Sequence, residues 1–415
     1  MPMYDNKIHP DRAFLVSVDT GDYNAESSLK ELYELTKSAG AVPVASIVQK
    51  REKPDTATCV GSGCLEEIKQ YCNNNDINII IFDCELSPVQ IKNLENNTNI
   101  RVIDRTMLIL DIFALRAKSK EGKLQVELAQ LKYMLPRLTG KGIELSRLGG
   151  GIGTRGPGET KLETDKRHIR RKMEKLKTQL NALEKHRRQI RKRRQKDNII
   201  TVAIVGYTNA GKSTLMNKLT EAGVLVKDQL FATLDPTSRA LKLPSGISVM
   251  LIDTVGLVRR LPHHLVEAFK STLEEASLAD IILNVCDASS KEARLHLEVT
   301  KNLLSELGCE EHPIIPVMNK CDLVPGILDI PTISNVIRIS AKTGEGIDKL
   351  LEAIENNLPI KLTRVNLCIP FSMAKLSSEI RSEGTIISEE FTESGLKIEA
   401  IVDDRIYAKV KNFIE

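Results

Sequence analysis

The stretch IITVAIVGYTNAGKSTLMNKL, residues 199–219, decides the fold of the central part of the chain. An apolar run comes first, then a turn with the spacing GxxxxGKS, and then a segment with helical periodicity. A strand that leads through a glycine-rich turn into a helix N-terminus is the context in which backbone N–H groups bind phosphate. The alternative is a chance match in a glycine-rich turn, but the flanking strand and helix weigh against it. The stretch therefore predicts a P-loop on an α/β sheet.

The turn assigns roles to its residues. Gly206 and Gly211 permit the tight backbone path. Lys212 is expected to reach the β- and γ-phosphates, and the Ser213 hydroxyl to bind Mg²⁺. The predicted nucleotide contacts of this segment are Gly206, Tyr207, Thr208, Asn209, Ala210, Gly211, Lys212, Ser213 and Thr214.

A second motif, VMLIDTVGL at 249–257, is an apolar strand that ends in an acid. Asp253 is expected to hold Mg²⁺, and the backbone amide of Gly256 to sense the γ-phosphate. Thr254 and Val255 complete this predicted contact segment. The DxxG spacing is weak evidence by itself, but it is strong evidence downstream of a P-loop.

Two further motifs predict the base. In IIPVMNKCD, residues 314–322, Asp322 can accept from N1–H and the exocyclic amine of guanine, a pattern that adenine lacks. Asn319 and the stem of Lys320 are expected to shape the pocket. The loop RISAKTG, residues 338–344, is expected to cap guanine. Its contact residues are Ser340, Ala341 and Lys342. Four motifs in this order predict GTP as substrate and GDP as product.

The segment DQLFATLDPTSR, residues 228–239, lies where a switch loop is expected. Such a loop needs a hydroxyl that reaches Mg²⁺ and the γ-phosphate only in the triphosphate state. Thr233 is the choice, with Phe231 and Ala232 beside it, although Thr237 and Thr208 compete for the role. The predicted metal ligands are then Ser213, Thr233 and Asp253, and the predicted catalytic residues are Lys212, Thr233 and Gly256.

Leu257 stands where Ras-like enzymes place a glutamine that orients the attacking water. Either Leu257 is a core or hinge residue and hydrolysis is intrinsically slow, or a partner supplies the missing group. Asn209 leaves two interpretations open as well. It could help to hold a K⁺ ion in place of a positive side chain, or it could be a residue that tolerates a strained loop.

Composition bounds the class of protein. The chain has 415 residues, a net charge of +4, 41% hydrophobic residues and 4% aromatic residues. Its sequence contains no apolar run long enough to span a bilayer and no secretory signal pattern. The eight cysteines form no CxxC pair and have no histidine partner at zinc spacing. We therefore expect reduced thiols in a cytoplasmic protein.

Charge is concentrated in one segment. Residues 166–196 hold 15 Lys or Arg and only two acids, Glu174 and Glu184. Apolar residues in this segment recur at heptad spacing, as do leucines between Leu124 and Leu138, and the stretch between the two seams carries eight glycines from Gly140 to Gly158. The pattern predicts an antiparallel helical hairpin with a glycine-rich basic tip that contacts RNA backbone. The alternative is a solvated coiled coil that dimerises or packs on the nucleotide domain.

The predicted fold class is α/β, with four domains. They are an N-terminal α/β domain at 1–112, a helical hairpin arm at 113–197, a P-loop GTPase domain at 198–358, and a C-terminal α+β module at 359–415.

The motifs GYTNAGKSTL, FATLDPTSR, DTVGL and NKCD resemble those of the Obg–HflX group of translation-associated GTPases. DRTMLILDIFALRAKSKEGKLQVELAQLKYMLPRL at 104–138 and GGGIGTRGPGETKLETDKR at 149–167 resemble signatures of the HflX family itself. The resemblance implies a cytosolic GTPase that binds the large ribosomal subunit and separates stalled or idle ribosomes. The chain has GSGC at 61–64 where the family often has a GKGK-like turn, so no ATP-linked activity is carried over.

We therefore expect a monomeric, Mg²⁺-dependent, cytoplasmic GTPase that associates with ribosomes and has no membrane span. The large ribosomal subunit and its ribosomal RNA would bind the basic hairpin at 124–196 and stimulate hydrolysis. One alternative is a GTP-switched RNA-binding module that acts in ribosome assembly without needing hydrolysis. Another is a signalling GTPase with protein effectors and no RNA.

Overall fold

The computed structural model describes residues 10–138, 157–196, 199–220, 237–258, 276–309, 312–324, 335–360, 362–392 and 395–414. The chain divides into two compact units. Of the described residues, the first unit holds those up to Ile190 together with Val258, and the second unit holds the others. No helix in the described ranges is long and apolar enough to cross a bilayer.

The first unit begins with a four-stranded parallel sheet in the order β2-β1-β3-β4. The central strand β1 is buried along most of its length, as expected for a strand covered by helices on both faces. The strands are β1 (Arg12–Asp19), β2 (Val42–Lys50), β3 (Ile79–Phe82) and β4 (Arg101–Asp104). The helices are α1 (Ala25–Ser38), α2 (Ser62–Asn74), α3 (Pro88–Thr98) and α4 (Arg105–Arg116).

Two long helices follow, α5 (Lys120–Arg137) and α6 (Pro157–Lys196). Ion pairs join Glu127 to Lys172 and Glu121 to Arg187, so positions later in α6 pair with positions earlier in α5. This order confirms the antiparallel hairpin.

The predicted heptad seam matches the buried residues better in α6 than in α5. In α6, Leu176 is buried and its seam neighbours are half-buried. In α5, the leucines of the seam are only half-buried, whereas Val126, Ala129 and Tyr133 are buried. The reason is that α5 packs on α4 as well, and this second contact determines the most buried stripe.

The second unit contains a six-stranded sheet in the order β10-β9-β8-β5-β7-β6, in which only β6 runs antiparallel to its neighbour. The strands are β5 (Thr201–Gly206), β6 (Thr237–Lys242), β7 (Ser248–Asp253), β8 (Ile281–Asp287), β9 (Ile314–Asn319) and β10 (Ile337–Arg338). The helices are α7 (Lys212–Leu219), α8 (Ala293–Glu306) and α9 (Ile347–Asn356). The carboxyl ends of β5, β7, β8 and β9 meet at one edge, which is where ligands bind in such sheets.

A small α+β module completes this unit. Its three antiparallel strands are β11 (Leu362–Ile369), β12 (Thr385–Thr392) and β13 (Gly395–Asp403), with β13 in the centre. Its helices are α10 (Ala374–Glu383) and α11 (Asp404–Val410). The predicted fold class is thereby confirmed, whereas the four domain boundaries stay a prediction.

Candidate guanine-nucleotide site

The glycine-rich turn connects β5 to α7. Gly206 and Gly211 have φ angles of +153° and +84°. A Cβ at Gly206 would lie 2.0 Å from the backbone oxygen of Val285, and one at Gly211 would lie 2.3 Å from Nδ2 of Asn319. Neither position therefore accepts a side chain without moving its neighbour. The chain path predicted for a P-loop is the path that the structure has.

Lys212 folds back over the turn. Its Nζ donates to the backbone oxygens of Gly206 at 3.0 Å and Tyr207 at 2.8 Å, and only 7% of the residue is exposed. Burial lowers the pKa of Lys212 to about 8, and the nearby carboxylate of Asp253 opposes the shift. A phosphate above the loop would favour the charged form of this buried amine.

Ser213 and Asp253 meet at the edge of the sheet. The Ser213 hydroxyl donates to Oδ2 of Asp253 at 2.8 Å, and Asp253 is 1% exposed. A hydroxyl and a carboxylate are hard oxygen donors that suit Mg²⁺, which commonly takes one or two carboxylates and completes its shell with phosphate and water. The donor set therefore fits Mg²⁺. In the described residues, no cluster of three or more His, Cys, Asp or Glu side chains competes with it.

The start of the second motif is bonded to the P-loop. Leu257 donates its N–H to Gly206 at 3.1 Å and accepts from the N–H of Thr208 at 2.7 Å. A Cβ at Gly256 would meet Cγ2 of Thr208 at 2.7 Å and Nζ of Lys212 at 3.0 Å. Gly256 is thus held beside the lysine that is predicted to reach the γ-phosphate.

The Leu257 side chain points away from this site. It is 4% exposed and belongs to an apolar cluster that includes Tyr207, Ala276 and Ile282. Leu257 is therefore a core residue, and a catalytic group supplied by a partner stays a prediction.

The neighbours Thr254 and Val255 are also turned to the interior. The Thr254 hydroxyl donates to the backbone oxygen of Ile204 at 2.7 Å, and both residues are buried. Any contact of these two with a nucleotide would therefore use their backbone.

The base-pocket motifs converge at the carboxyl end of β9. Asn319 donates through Nδ2 to the Ala210 oxygen at 2.8 Å and accepts from the Ala341 N–H at 2.9 Å. Asn319 therefore ties the P-loop to the capping loop. Ser340 donates to Oδ1 of Asp322 at 2.7 Å, which orients the carboxylate predicted to read guanine. Lys342, the last predicted capping residue, is exposed.

Lys320 has a partner that the sequence analysis missed. Its Nζ lies 2.8 Å from Oδ2 of Asp287, and its backbone adopts φ +64°. The available signal was an acid at the end of β8, the strand that pairs with β9. Because parallel neighbours end at the same edge, that acid could have been placed beside Lys320.

Asn209 lies on the other side of Lys320. Its φ is +60°, and its Oδ1 is 3.5 Å from the ammonium of Lys320. Asn is among the residues that tolerate this left-handed conformation best. The geometry matches the interpretation of Asn209 as a residue that tolerates a strained loop.

The predicted switch residues Phe231, Ala232 and Thr233 lie outside the described residues. Their competitors are described. The Thr237 hydroxyl contacts the sulfur of Met216 at 3.7 Å, and Thr208 is buried beside Gly256. Thr214 is half-buried in the first turn of α7. The choice of Thr233 stays a prediction.

Family models match successive parts of the chain. They are described as the GTP-binding GTPase N-terminal region at 26–114, the GTP-binding GTPase middle region at 116–194, a 50S ribosome-binding GTPase at 201–320, and the HflX C-terminal domain at 329–403. The GTPase HflX of Caldanaerobacter subterraneus subsp. tengcongensis is 50% identical over 97% of this chain and 94% of its own length. This chain belongs to the HflX family of GTPases.

A second relative supports this result. The Escherichia coli K12 GTPase HflX is 41% identical over 95% of this chain and 93% of its own length. A GTP-binding protein of the archaeon Sulfolobus solfataricus, solved with GDP, is 26% identical and covers 84% of this chain and 98% of its own, with a TM-score of 0.46. As an HflX-family member the chain is a GTPase that binds guanine nucleotides, and the resemblance of its motifs to this family is confirmed.

Proposed function

We propose that this HflX-family chain is a Mg²⁺-dependent GTPase that binds the large ribosomal subunit, is stimulated by it, and splits ribosomes. One observation carries the ribosomal part of the proposal, namely the excess of exposed basic side chains over acidic partners among the described residues of α6. The family model matched at 201–320 describes a 50S ribosome-binding GTPase, which supports the same partner.

Helix α6 separates its apolar and basic residues. Leu176 is buried on one side. Seven basic side chains between 166 and 187 are exposed, namely Arg167, Arg170, Arg171, Lys172, Lys175, Lys177 and Lys185. Among the residues that the structure describes, acidic partners are found only for Lys172 and Lys177 of these seven. A solvated helix face would usually mix charges, whereas this one leaves an excess of cations for phosphate.

Nucleotide chemistry is proposed for the site at the carboxyl edge of the second sheet. Lys212 and the loop amides would bind phosphates, Asp322 would select guanine, and the Gly256 amide would report the γ-phosphate. Ser213, Asp253 and Thr233 would hold Mg²⁺. When bound, the ion would neutralise charge on the β- and γ-phosphates.

None of the residues named above is assigned to position the attacking water. The Leu257 side chain is buried, so it does not contact the attacking water. A ribosome-induced change that supplies or positions a polar group would explain stimulation, and partner effects on GTPases reach roughly 10⁵-fold. If the ribosome supplies or positions this group, we expect slow GTP turnover in the absence of ribosomes.

The proposal is tested by neutralising the basic face. The variant Arg167→Gln/Arg170→Gln/Arg171→Gln removes three positive charges from exposed positions of α6 that lie outside the heptad seam. The matched control, Lys291→Gln/Lys301→Gln/Lys349→Gln, removes three exposed charges from the nucleotide domain. We expect the first variant to keep basal turnover but to lose binding to, and stimulation by, isolated large subunits. The control should keep both. Equal stimulation of the two variants would contradict the proposal.

A comparison of GTP with a non-hydrolysable analogue distinguishes ribosome splitting from the alternative role in ribosome assembly. Light scattering of whole ribosomes would report splitting with GTP and with a non-hydrolysable analogue. Splitting in both cases would show that the bound triphosphate state suffices and that hydrolysis serves release. No splitting in either case, with retained large-subunit binding, would favour assembly. Ribosome association that weakens steeply with salt would argue against a signalling role with protein effectors and no RNA.

A comparison of turnover in K⁺ and Na⁺ tests whether Asn209 helps to hold a K⁺ ion. Turnover in KCl and in NaCl at equal ionic strength would be compared for the native chain and Asn209→Asp. A K⁺ requirement confined to the native chain would assign the ion to Asn209. Equal rates in both salts would leave Asn209 its backbone role alone. We further propose that the protein is cytoplasmic and that the free chain is a monomer. Sedimentation of the free chain would test the monomeric state.

A further inference from the structure

Two cysteine sulfurs are in contact in the N-terminal sheet of the first unit. Sγ of Cys59 lies 3.4 Å from Sγ of Cys84, although 25 residues separate them along the chain. Cys59 is in the loop between β2 and α2, and Cys84 follows β3. All eight cysteines are free thiols, and among the described residues this is the only pair with such a sulfur–sulfur contact.

An uncommon backbone conformation brings Cys59 to its partner. Its φ is +67°, which non-glycine residues other than Asn and Asp rarely adopt. A closed turn holds it there, since Asp55 and Cys59 exchange two backbone hydrogen bonds of 2.9 Å. The Asp55 carboxylate also accepts from the N–H groups of Ala57 at 2.8 Å and Thr58 at 3.1 Å. Strain of this kind persists only where surrounding contacts fix it, and it is often found at functional sites.

The surroundings of the two thiols differ. Cys59 is buried, whereas Cys84 is half-buried, so solvent reaches part of Cys84. The hydrogen bond between the two thiols lowers the pKa of Cys59 and Arg51 acts in the same direction, whereas burial and the Asp55 carboxylate oppose this shift. The same hydrogen bond and burial raise the pKa of Cys84. By contrast, burial alone raises the pKa of Cys72, a cysteine of the same core, to about 11. Cys59 is therefore the thiol of the pair that ionises more readily, and it ionises more readily than Cys72.

We propose that Cys59 and Cys84 are a reversible oxidation site that forms an intramolecular disulfide with a peroxide. The thiolate sulfur attacks one peroxide oxygen, the O–O bond breaks, and the leaving oxygen departs with the electron pair as hydroxide. This hydroxide takes the proton that the thiol released on ionising, so a sulfenic acid and water result. The second sulfur then attacks the sulfenic sulfur, and the released hydroxide takes the remaining thiol proton. Two thiols and one hydrogen peroxide thus give one disulfide and two waters. The sulfurs need to approach by only about 1.4 Å to reach bonding distance.

The disulfide would join two loops at the carboxyl edge of the N-terminal sheet. One loop follows β2 and leads into the turn at 61–64, and the other follows β3. Cross-linking restricts the unfolded chain and both loops, so the oxidised first unit should melt several degrees higher. The P-loop, the DxxG turn and the base-pocket motifs belong to the second unit.

The experiment uses the full chain with Cys64→Ala and Cys72→Ala, so that the tryptic peptides 52–69 and 70–92 each keep a single cysteine. The reduced protein is treated with a small molar excess of hydrogen peroxide and then alkylated. We expect these two peptides joined, with a mass lower by two hydrogens, and their separation by dithiothreitol. Adding Cys84→Ala or Cys59→Ala should abolish the joined species.

The native chain provides a readout that does not depend on the folding of variants. Its thiol count should fall by two at low peroxide, with the remaining six cysteines still alkylated. Oxidation of Cys84 to sulfinic acid while Cys59 stays alkylated would overturn the proposal. Disulfides that form equally with Cys64 or Cys72 would overturn it too.

Discussion

Tyr207 and Leu257 pair as a parallel β-bridge between the P-loop and the DxxG turn. Because successive side chains on a bridge are fixed by the backbone, this pairing places the Leu257 side chain in the apolar cluster below the site. The residue that replaces a catalytic glutamine is therefore part of the core. The segment that follows the DxxG turn therefore starts at a residue, Leu257, whose backbone is hydrogen-bonded to the P-loop.

Leu257→Gln is expected to destabilise the chain without restoring intrinsic catalysis. The new amide would be buried among apolar side chains and would cost about 2 kcal/mol of unfolding free energy. Urea denaturation and basal turnover would be measured together. Leu257→Met, which conserves volume, should stay within about 1.5 kcal/mol of the native chain. A large rise in basal turnover by the glutamine variant at unchanged stability would show that the side chain reaches the water.

Gly211→Ala is expected to remove guanine-nucleotide binding. The added Cβ would push Asn319 away from Ala210 and Ala341, in addition to straining a φ of +84°. Gly308→Ala is the matched control, because Gly308 has φ +79° but nothing within 4 Å of its Cβ position. Both variants should lose about 1 kcal/mol of stability to backbone strain. Fluorescent-GDP titration should show an affinity loss of at least about 100-fold for the first only.

Asp287→Asn is expected to weaken GTP binding by about tenfold or less, because Lys320 loses the charge that orients it. The effect is limited because the pair is partly exposed. Glu298→Gln removes an exposed ion pair with Arg294 in the same unit and should leave affinity unchanged. Equal GTP affinity in Asp287→Asn and the native chain would mean that the P-loop and Asn319 position Lys320 without help.

The two ion pairs of the hairpin should differ in strength. Arg187–Glu121 is about one-fifth exposed, whereas Lys172–Glu127 is nearly half exposed. A double-mutant cycle with alanine should give a coupling energy near 1 kcal/mol for the first pair and below about 0.5 kcal/mol for the second. The reverse order would show that solvent exposure does not control these contacts.

Local spacing made much of the site predictable. GxxxxGKS, DxxG, NKxD and the capping loop each specify a backbone geometry over a few residues, so they identified Lys212, Asp253, Asn319 and Ser340, which lie at the carboxyl edge of the second sheet. Their roles with a nucleotide stay predictions. Asp287 was missed because it carries no motif and meets Lys320 only across two strands. In the same way, the leucine seam of α5 was correct as a helix but did not identify its most buried residues.

The sequence by itself determined the phosphate turn between its strand and helix, the acid that is predicted to read guanine, and the concentration of charge in α6. Those features depend on neighbours within a few residues, where chain geometry and periodicity suffice. Only the tertiary structure decided that Leu257 is buried, that Asp287 holds Lys320, and that Cys59 touches Cys84. Each of these contacts joins distant segments, so packing of the whole unit sets which side chains meet.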